Sequence, residues 1–403
     1  MEINNQSIYH ERNQLDKEKS IKEESIRKRR RRIAILGIVM LLGMLSMINM
    51  ISASFFMKPG NIKKHFIYLI IFFITYLIVG NFKVKTFNYT FLNKKRINSL
   101  IFLGSIMVLV FMYVASLLKL PIVPYVNGAY GWISFGGITI QPAEIIKIAF
   151  IIIMANLLSR CEEENCGQSE IIVQSTITFT ILFSLIMLQK DLGTGIHYFT
   201  ILIFMLFMTK IKKSLILKTV IPIMSVGILG LYLVYKHASE EGAGYKIMRI
   251  KSYVDGLFYG SYSEQYGYQV KQSIYAFGSG GIFGKGYANG VQKYSYLPEI
   301  HTDFAMATFG EEFGIVGMLA IIVLFYIMFS LIMITGVEAK TSFGKFLAVG
   351  IAGLIITQMI INIFVAVGLL PVFGIPMPLF SYGGSSMVTM GLALGIIHNI
   401  NRE

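Results

Sequence analysis

Three ionisable side chains within five residues, Glu299, His301 and Asp303, stand where a long hydrophilic stretch runs into an apolar one. A carboxylate at such an edge, partly desolvated and surrounded by cations, has the chemistry of a general base or of a ligand to a divalent cation such as Mg or Mn. The approach to it, residues 268–298, holds two glycine clusters (Gly278, Gly280, Gly281; Gly284, Gly286) that let backbone come close to a ligand. Lys246, Arg249, Lys251, Lys271, Lys285 and Lys293 add a cationic field suited to phosphate. The string GSGGIFGKG lacks the GK[ST] ending of a nucleotide loop. A helix entered near Pro298 would put Glu299 and Asp303 one turn apart on one face, with His301 elsewhere. The plainer alternative is a capped helix start with surface ion pairs.

Other candidate groups are scattered along apolar segments. Pro142 suits a helix's first turn, and Glu144 and Lys147 follow at i, i+3. They form either a self-neutralising pair or a polar patch lining a cavity, because charges inside a membrane are costly. Asp191, in QKDLGTG, is a helix cap or a ligand-facing residue. His197 reads as a packed histidine, and Lys218 as a side chain snorkelling to an interface. Glu311 and Glu312, about two turns into the next apolar segment, call for pairing with Lys147 or another buried cation. Near the C-terminus Pro371, Pro376 and Pro378 interrupt a run, 346–401, that has no Asp, Glu, Lys or Arg. SYGGSS follows, with small residues that permit close helix packing.

The elements that must position these groups are membrane helices. Mean hydropathy is +0.64, 55% of residues are hydrophobic and 14% charged, well below the roughly 25% charged of soluble domains. Apolar runs of the roughly 20 residues that a crossing needs recur at 33–56, 65–82, 99–117, 138–159, 171–189, 192–209, 214–235, 305–336, 346–367 and 379–400. Their continuity excludes alternating barrel strands. The expected fold is an all-α integral membrane protein with about ten transmembrane helices and one large extracellular loop, about 236–303, between the seventh and eighth. Residues 1–32 form a basic cytoplasmic tail, disordered or loosely helical, and 33–403 a single membrane domain. With the N-terminus inside, inner segments collect 22 Lys and Arg against 12 outside, which places both termini in the cytoplasm.

The formal charge of +14 is concentrated in Arg27–Arg32 directly before the first span, a lipid-contacting arrangement; no nucleic-acid partner is expected. Cys161 and Cys166, in a short charged inner connector, predict neither disulfide nor metal site. The only Trp, Trp132, suits an interfacial anchor.

WISFGGITIQPAEIIKIA, QKDLGTG, YQVKQSIYAFGSGGIFGKG, LPEIHTDFAMATFGEEFGIVG and NIFVAVGLLPVFGIPMPLFSYGGSS resemble, in order and spacing, the SEDS family of FtsW, RodA and SpoVE, over about 125–400. The resemblance implies a peptidoglycan glycosyltransferase of the bacterial cytoplasmic membrane. Such an enzyme polymerises lipid II on the outer face, in division, elongation or sporulation, with a class B penicillin-binding protein as partner. It puts the catalytic role on Asp303, and carries the QPSE..K motif onto Gln141, Pro142, Glu144 and Lys147, with Ala143 in place of Ser. The PDLGT aspartate becomes Asp191, with Lys190 in place of Pro. The substrate-binding set it suggests is Glu144, Lys147, Asp191, Gln272, Ser273, Lys285, Gln292, Glu299, His301 and Thr302; a metal is not specified. One departure stands out: Ala129, Tyr130 and Gly131 precede Trp132 where the family carries an Arg, so any phosphate-holding role of that Arg is lost or passes to a lysine. The rival readings are a lipid II flippase, which would need polar groups along the full membrane depth, and a non-catalytic scaffold for a cell-wall complex.

Overall fold

The structure, a computed structural model, describes residues 2–54, 60–80, 88–126, 128–136, 138–237, 245–294 and 296–402. Twelve α-helices run through them: α1 (Glu2–Ser54), α2 (Gly60–Gly80), α3 (Lys95–Leu117), α4 (Pro142–Glu163), α5 (Gln168–Leu188), α6 (Leu192–Phe207), α7 (Lys213–His237), α8 (Tyr245–Tyr259), α9 (Tyr268–Gly280), α10 (Ala305–Val337), α11 (Ser342–Ala366) and α12 (Gly384–Ile400). Eight of these are long and apolar enough to cross a membrane, and α6 and α12 are shorter apolar helices. The expected spans fall on these ten helices; those at 33–56 and 65–82 end in positions outside the described residues.

Of the two alternatives for the basic tail, the helical one is found: it continues the first span, since α1 begins at Glu2. The long connector carries two helices of its own, α8 and α9. A two-stranded antiparallel hairpin, β1 (Ile133–Phe135) with β2 (Ile138–Ile140), precedes α4, a small addition to a fold that is all-α as expected.

Helices α4 and α11 are the centre of the bundle: 83% and 72% of their apolar windows are buried, against 11% for α7. Helix α11 packs on α10, α4 and α6, while α12 lies along α2. Small residues make that last contact close, both in SYGGSS, where a Cβ at Gly384 would stand 3.0 Å from the Tyr68 ring, and further into the helix. A Cβ at Gly391 would stand 2.9 Å from Phe72 O, and one at Gly395 2.7 Å from the Val79 side chain.

Helix α10 is broken. Gly314 has φ +66° and ψ −167°, and the loop after α9 fills the gap. Lys285 N and Gly286 N donate to the carbonyls of Glu311 and Glu312, at 3.0 Å each, while Ile315 N and Val316 N donate to Gly281 O and Ile282 O at 3.0 and 3.1 Å. A Cβ on Gly284 (φ +80°) would meet Glu312 O at 2.1 Å. This glycine therefore brings the loop onto α10, and not onto a ligand as the sequence suggested.

Gly391→Val should push α12 off the α2 backbone. Overpacking of this kind costs about 1–3 kcal/mol, read as a lowered Tm of the detergent-solubilised chain, whereas Gly37→Val, where a Cβ meets nothing, should leave Tm near the parent value.

Candidate active site

Asp303 lies in a run of turns, 297–304, that ends at α10; no helix begins near Pro298, and Glu299 is left-handed with φ +54°. Glu299 and Asp303 are therefore not on one helical face. The turn is strapped to the proline-rich segment after α11. Ser381 Oγ donates to Thr302 O at 2.5 Å, Tyr382 N donates to His301 O at 2.7 Å, and buried Asn362 donates through Nδ2 to Asp303 O at 3.0 Å and Ile375 O at 2.9 Å. Gln358 Nε2 holds Pro376 O at 2.8 Å. Neither amide was singled out in the sequence, although an Asn and a Gln inside an apolar run were the available signal.

The straps engage the Asp303 main chain and leave its carboxylate without a hydrogen bond from any described residue. That carboxylate stays partly accessible, with Oδ2 3.9 Å from where a Cβ on Gly374 would stand. Burial, and then the neighbouring Glu299, push the Asp303 carboxyl up to about 7, with Arg249 on α8 pulling it down. Beside it, Glu299 Oε2 accepts from Thr302 Oγ1 at 2.8 Å. The His301 ring stands edge-on to Tyr382, centroids 5.4 Å apart, and its Nδ1 is buried with no partner among the described residues. Burial lowers the His301 pKa, with Glu299 opposing, so the imidazole is neutral at pH 7.

A second cluster is built by helix starts. Asp191 caps α6: Oδ1 accepts from Thr194 N at 3.1 Å, and Oδ2 from Thr194 Oγ1 and Gln141 Nε2 at 2.8 Å each. Gln141 N donates to Ser385 Oγ at 2.8 Å, which ties the starts of α4, α6 and α12 together. Here the cap reading of Asp191 holds. Gly131 fits because a Cβ there would stand 3.3 Å from Asp191 Oδ2, and Lys190 Nζ lies 5.9 and 5.8 Å from the ring centres of Tyr125 and Tyr130. One turn into α4, Lys147 Nζ and Glu144 Oε1 pair at 2.5 Å, 0% and 5% exposed; Glu144 Oε2 is buried without a partner among the described residues. His197 is packed, its Nε2 3.2 Å from Leu354 O and Thr357 Oγ1.

The loop lysines are mostly spoken for. Lys285 Nζ contacts Glu311 Oε1 at 2.7 Å. Lys293 Nζ contacts Glu312 Oε1 at 2.6 Å and Ser52 Oγ at 2.8 Å, both charges being at most 2% exposed. Glu311 also accepts from Ser279 Oγ, Val291 N and Gln292 N at 3.1, 2.9 and 2.9 Å. Lys285 Nζ and the main-chain N of Gln292 thus tie the loop to α10, while the Lys285 side chain stays 30% exposed and Gln292 Oε1 is buried without a partner among the described residues; the partner of Glu311 and Glu312 is the loop, not Lys147. Ser273 is fully buried and donates to Ala366 O at 2.6 Å, fastening α9 to α11 with no surface left for a substrate. Gln272 is half-buried on α9. The Lys246 side chain lies outside the described residues. Among the described residues no three His, Cys, Asp or Glu side chains group as a metal site.

Two outcomes follow from these environments. Lys293→Met leaves Glu312 buried and uncompensated, a loss of about 3–5 kcal/mol; adding Glu312→Leu should recover most of the lost Tm. Folded Asp303 keeps a proton that the unfolded chain has released between about pH 4 and pH 7, so its ionisation lowers stability as pH rises through that window. Asp303→Asn should therefore have a higher Tm than the parent near pH 8 and an equal one near pH 4. Equal Tm values at both would mean an ordinary, solvated carboxylate.

The profile of the cell cycle protein family FtsW, RodA and SpoVE matches residues 32–403. A Haemophilus influenzae protein named "Probable peptidoglycan glycosyltransferase FtsW" is 37% identical over 300 residues, 72% of this chain and 73% of its own. "Stage V sporulation protein E" of Bacillus subtilis is 37% identical over 294 residues, 71% and 76% of the two chains. Among solved structures, a chain from "Structural coordination of polymerization and crosslinking by a peptidoglycan synthase complex" superposes with a TM-score of 0.71 at 20% identity, over 91% of this chain and 96% of that one. The Thermus thermophilus rod shape determining protein RodA does so with a TM-score of 0.61 at 20% identity, over 91% and 95%. The structural likenesses carry the fold; the profile and the two relatives carry descent, and on them the chain belongs to the FtsW, RodA and SpoVE family.

Proposed function

We infer that this chain is a peptidoglycan glycosyltransferase that polymerises lipid II, with Asp303 as its general base. It works in the bacterial cytoplasmic membrane, with both termini in the cytoplasm and the Asp303 end outside, beside a class B penicillin-binding protein. Family membership and the names of the relatives support the activity. The neighbouring peptidoglycan synthase complex supports the partner, and the distribution of Lys and Arg supports the sidedness.

The observation that carries the assignment is a carboxylate fixed by its own main chain, bare of donors among the described residues, and raised to about 7. Such a group holds a proton weakly enough to release it and strongly enough to take it, which is what general base catalysis near neutral pH asks for. Asp303 takes the proton of the acceptor sugar's 4-hydroxyl as that oxygen bonds to the anomeric carbon of a second lipid-linked sugar. The bond from that carbon to the pyrophosphate oxygen breaks, and the lipid pyrophosphate leaves with the electron pair. Glu299 keeps Asp303 basic by charge repulsion. The polyprenyl chain stays in lipid while the sugars meet the turn at the bundle's rim.

A divalent cation fits only in a limited sense. Asp303 and Glu299 are two carboxylates with no third ligand grouped beside them among the described residues. They suit an ion that completes its shell with substrate phosphate and water, as Mg does; bound there it would neutralise pyrophosphate charge.

With lipid II and the partner supplied, Asp303→Asn should lower the polymerisation rate by about 10²–10⁴-fold, read as glycan product on a gel. The parent rate should climb about tenfold per pH unit up to about pH 7 and then level off. A normal rate in the folded Asn variant, or a profile flat between about pH 5 and pH 8, would remove Asp303 from the chemistry. Translocation of the lipid II headgroup in vesicles without glycan product would make the chain a transporter instead.

A further inference from the structure

At the end of the bundle opposite Asp303, α5, α6 and α7 do not close on one another. They leave an apolar cavity of about 260 Å³ walled by Ile172 and Phe179 of α5, Leu202 and Leu206 of α6, and Ile216 and Val220 of α7. These residues come from the later part of α6 and the opening turns of α7. Since α6 starts beside Gln141 and Ser385, the cavity lies in the half of the membrane away from the candidate active site. Helix α7 is the least buried of the eight long spans, 11%, so the cleft is bounded on one side by lipid.

A second cavity of about 220 Å³ lies at the connector between α6 and α7, and its walls include polar groups: Glu162, Asn165, Gln168 and Lys210. Basic residues crowd this edge, and their pairing is uneven. Lys210 and Lys345 both lean on Glu162, at 3.4 and 3.3 Å. Arg160 reaches Gln174, which in turn holds Glu170. Lys212, Lys213 and Lys218 are exposed and stand in no ion pair with a described residue. Lys212 and Lys213 stand at the first turn of α7, four and three residues before Ile216 and so on the face that supplies Ile216 and Val220 to the cavity, whereas Lys218 points to the opposite face. Unpaired cations at membrane-headgroup depth beside an apolar slot are the complement of one kind of molecule, which has both an alkyl chain and an anionic head.

We propose that the α5–α6–α7 cleft is a binding site for an anionic phospholipid of the leaflet opposite Asp303. One acyl chain fills the apolar cavity, and the phosphate head lies against Lys212 and Lys213. A zwitterionic lipid fills the slot equally well but leaves the two ammonium groups with only water, so selectivity resides in the head and not in the chain. Binding here is independent of the glycosyl-transfer reading, and its test involves no turnover.

Because the chain has a single tryptophan, Trp132, a reporter can be placed in the cleft by Phe199→Trp in a Trp132→Phe background. The full chain is reconstituted in phosphatidylcholine vesicles, and quenching is compared for phosphatidylglycerol and phosphatidylcholine, each brominated on its acyl chains. The brominated phosphatidylglycerol should half-quench the reporter at a mole fraction lower by about fivefold for each lysine engaged. Lys212→Glu and Lys213→Glu together should abolish the difference. A second reporter at Leu103→Trp, on the lipid-facing side of α3, should be quenched alike by both lipids. Equal quenching of the cleft reporter would show annular lipid only and overturn the proposal. So would a preference that survives the two charge reversals, or one shared by the α3 reporter.

Discussion

Hydrocarbon offers no water to an unpaired carbonyl or amide, so every interruption of a membrane helix must be answered by another piece of chain. Two such interruptions among the described residues border the candidate site, and each answers with a different kind of partner. Where α10 breaks at Gly314, the 281–286 loop enters and completes the ladder with four backbone hydrogen bonds. Where α11 gives way to the proline-rich segment before α12, side-chain amides do the work: Asn362 and Gln358 reach Ile375 O and Pro376 O. Asn362 also reaches Asp303 O, so repairing one interruption fixes the turn that leads into the helix carrying the other. The position of Asp303 is a consequence of backbone satisfaction, with its own side chain left out of the arrangement.

That omission separates Asp303 from the other carboxylates near it. Asp191 accepts three hydrogen bonds and caps a helix. Glu311 accepts four, and Glu312 meets Lys293 and Ser52. Each of these carboxylates is taken up by donors from the protein itself. Glu144 faces Lys147. Only in the 299–303 turn does a carboxylate sit desolvated, next to another negative charge and without a donor among the described residues, the combination that raises its proton affinity. The left-handed Glu299 belongs to the same pattern, since a non-glycine residue at φ +54° is a sparsely populated conformation tolerated where the surroundings overdetermine it.

What could be read from the sequence divides along the range of the interactions involved. Local signals were legible: the apolar runs, Pro142 at the first turn of α4, Asp191 before α6, the concentration of chemistry before α10. Non-local pairings were not. Nothing in the one-dimensional pattern tells that Lys293 is buried against Glu312 and Ser52, 241 residues away along the chain from the latter, so six loop cations read as a field when two of them are internal counter-ions. The glycines of 280–286 read as ligand-approaching for the same reason, because the sequence does not state which surface they approach. The helix expected from Pro298 failed on a single backbone torsion at Glu299, which displaced the start of α10 to Ala305.

With Lys147, Lys285 and Lys293 neutralised by partners, the positive charge available to a departing pyrophosphate must be sought elsewhere on the same face. Five apolar helices, α2, α4, α6, α10 and α12, start at this end of the bundle, and each N-terminus carries roughly half a unit of positive charge in its unpaired amides. Asp191 spends part of α6's on its own cap, and Gln141 N is taken by Ser385. The start of α10, directly after Asp303, has no side-chain cap, and neither does that of α12. Arg249, whose charge already reaches Asp303, comes from α8 on the same side. On the proposed reaction, base and electrophilic field thus arise within one short stretch. The acid that takes the proton is the residue two positions before the first turn of α10, and the amides of that turn are oriented by the same break and the same straps that hold the acid in place.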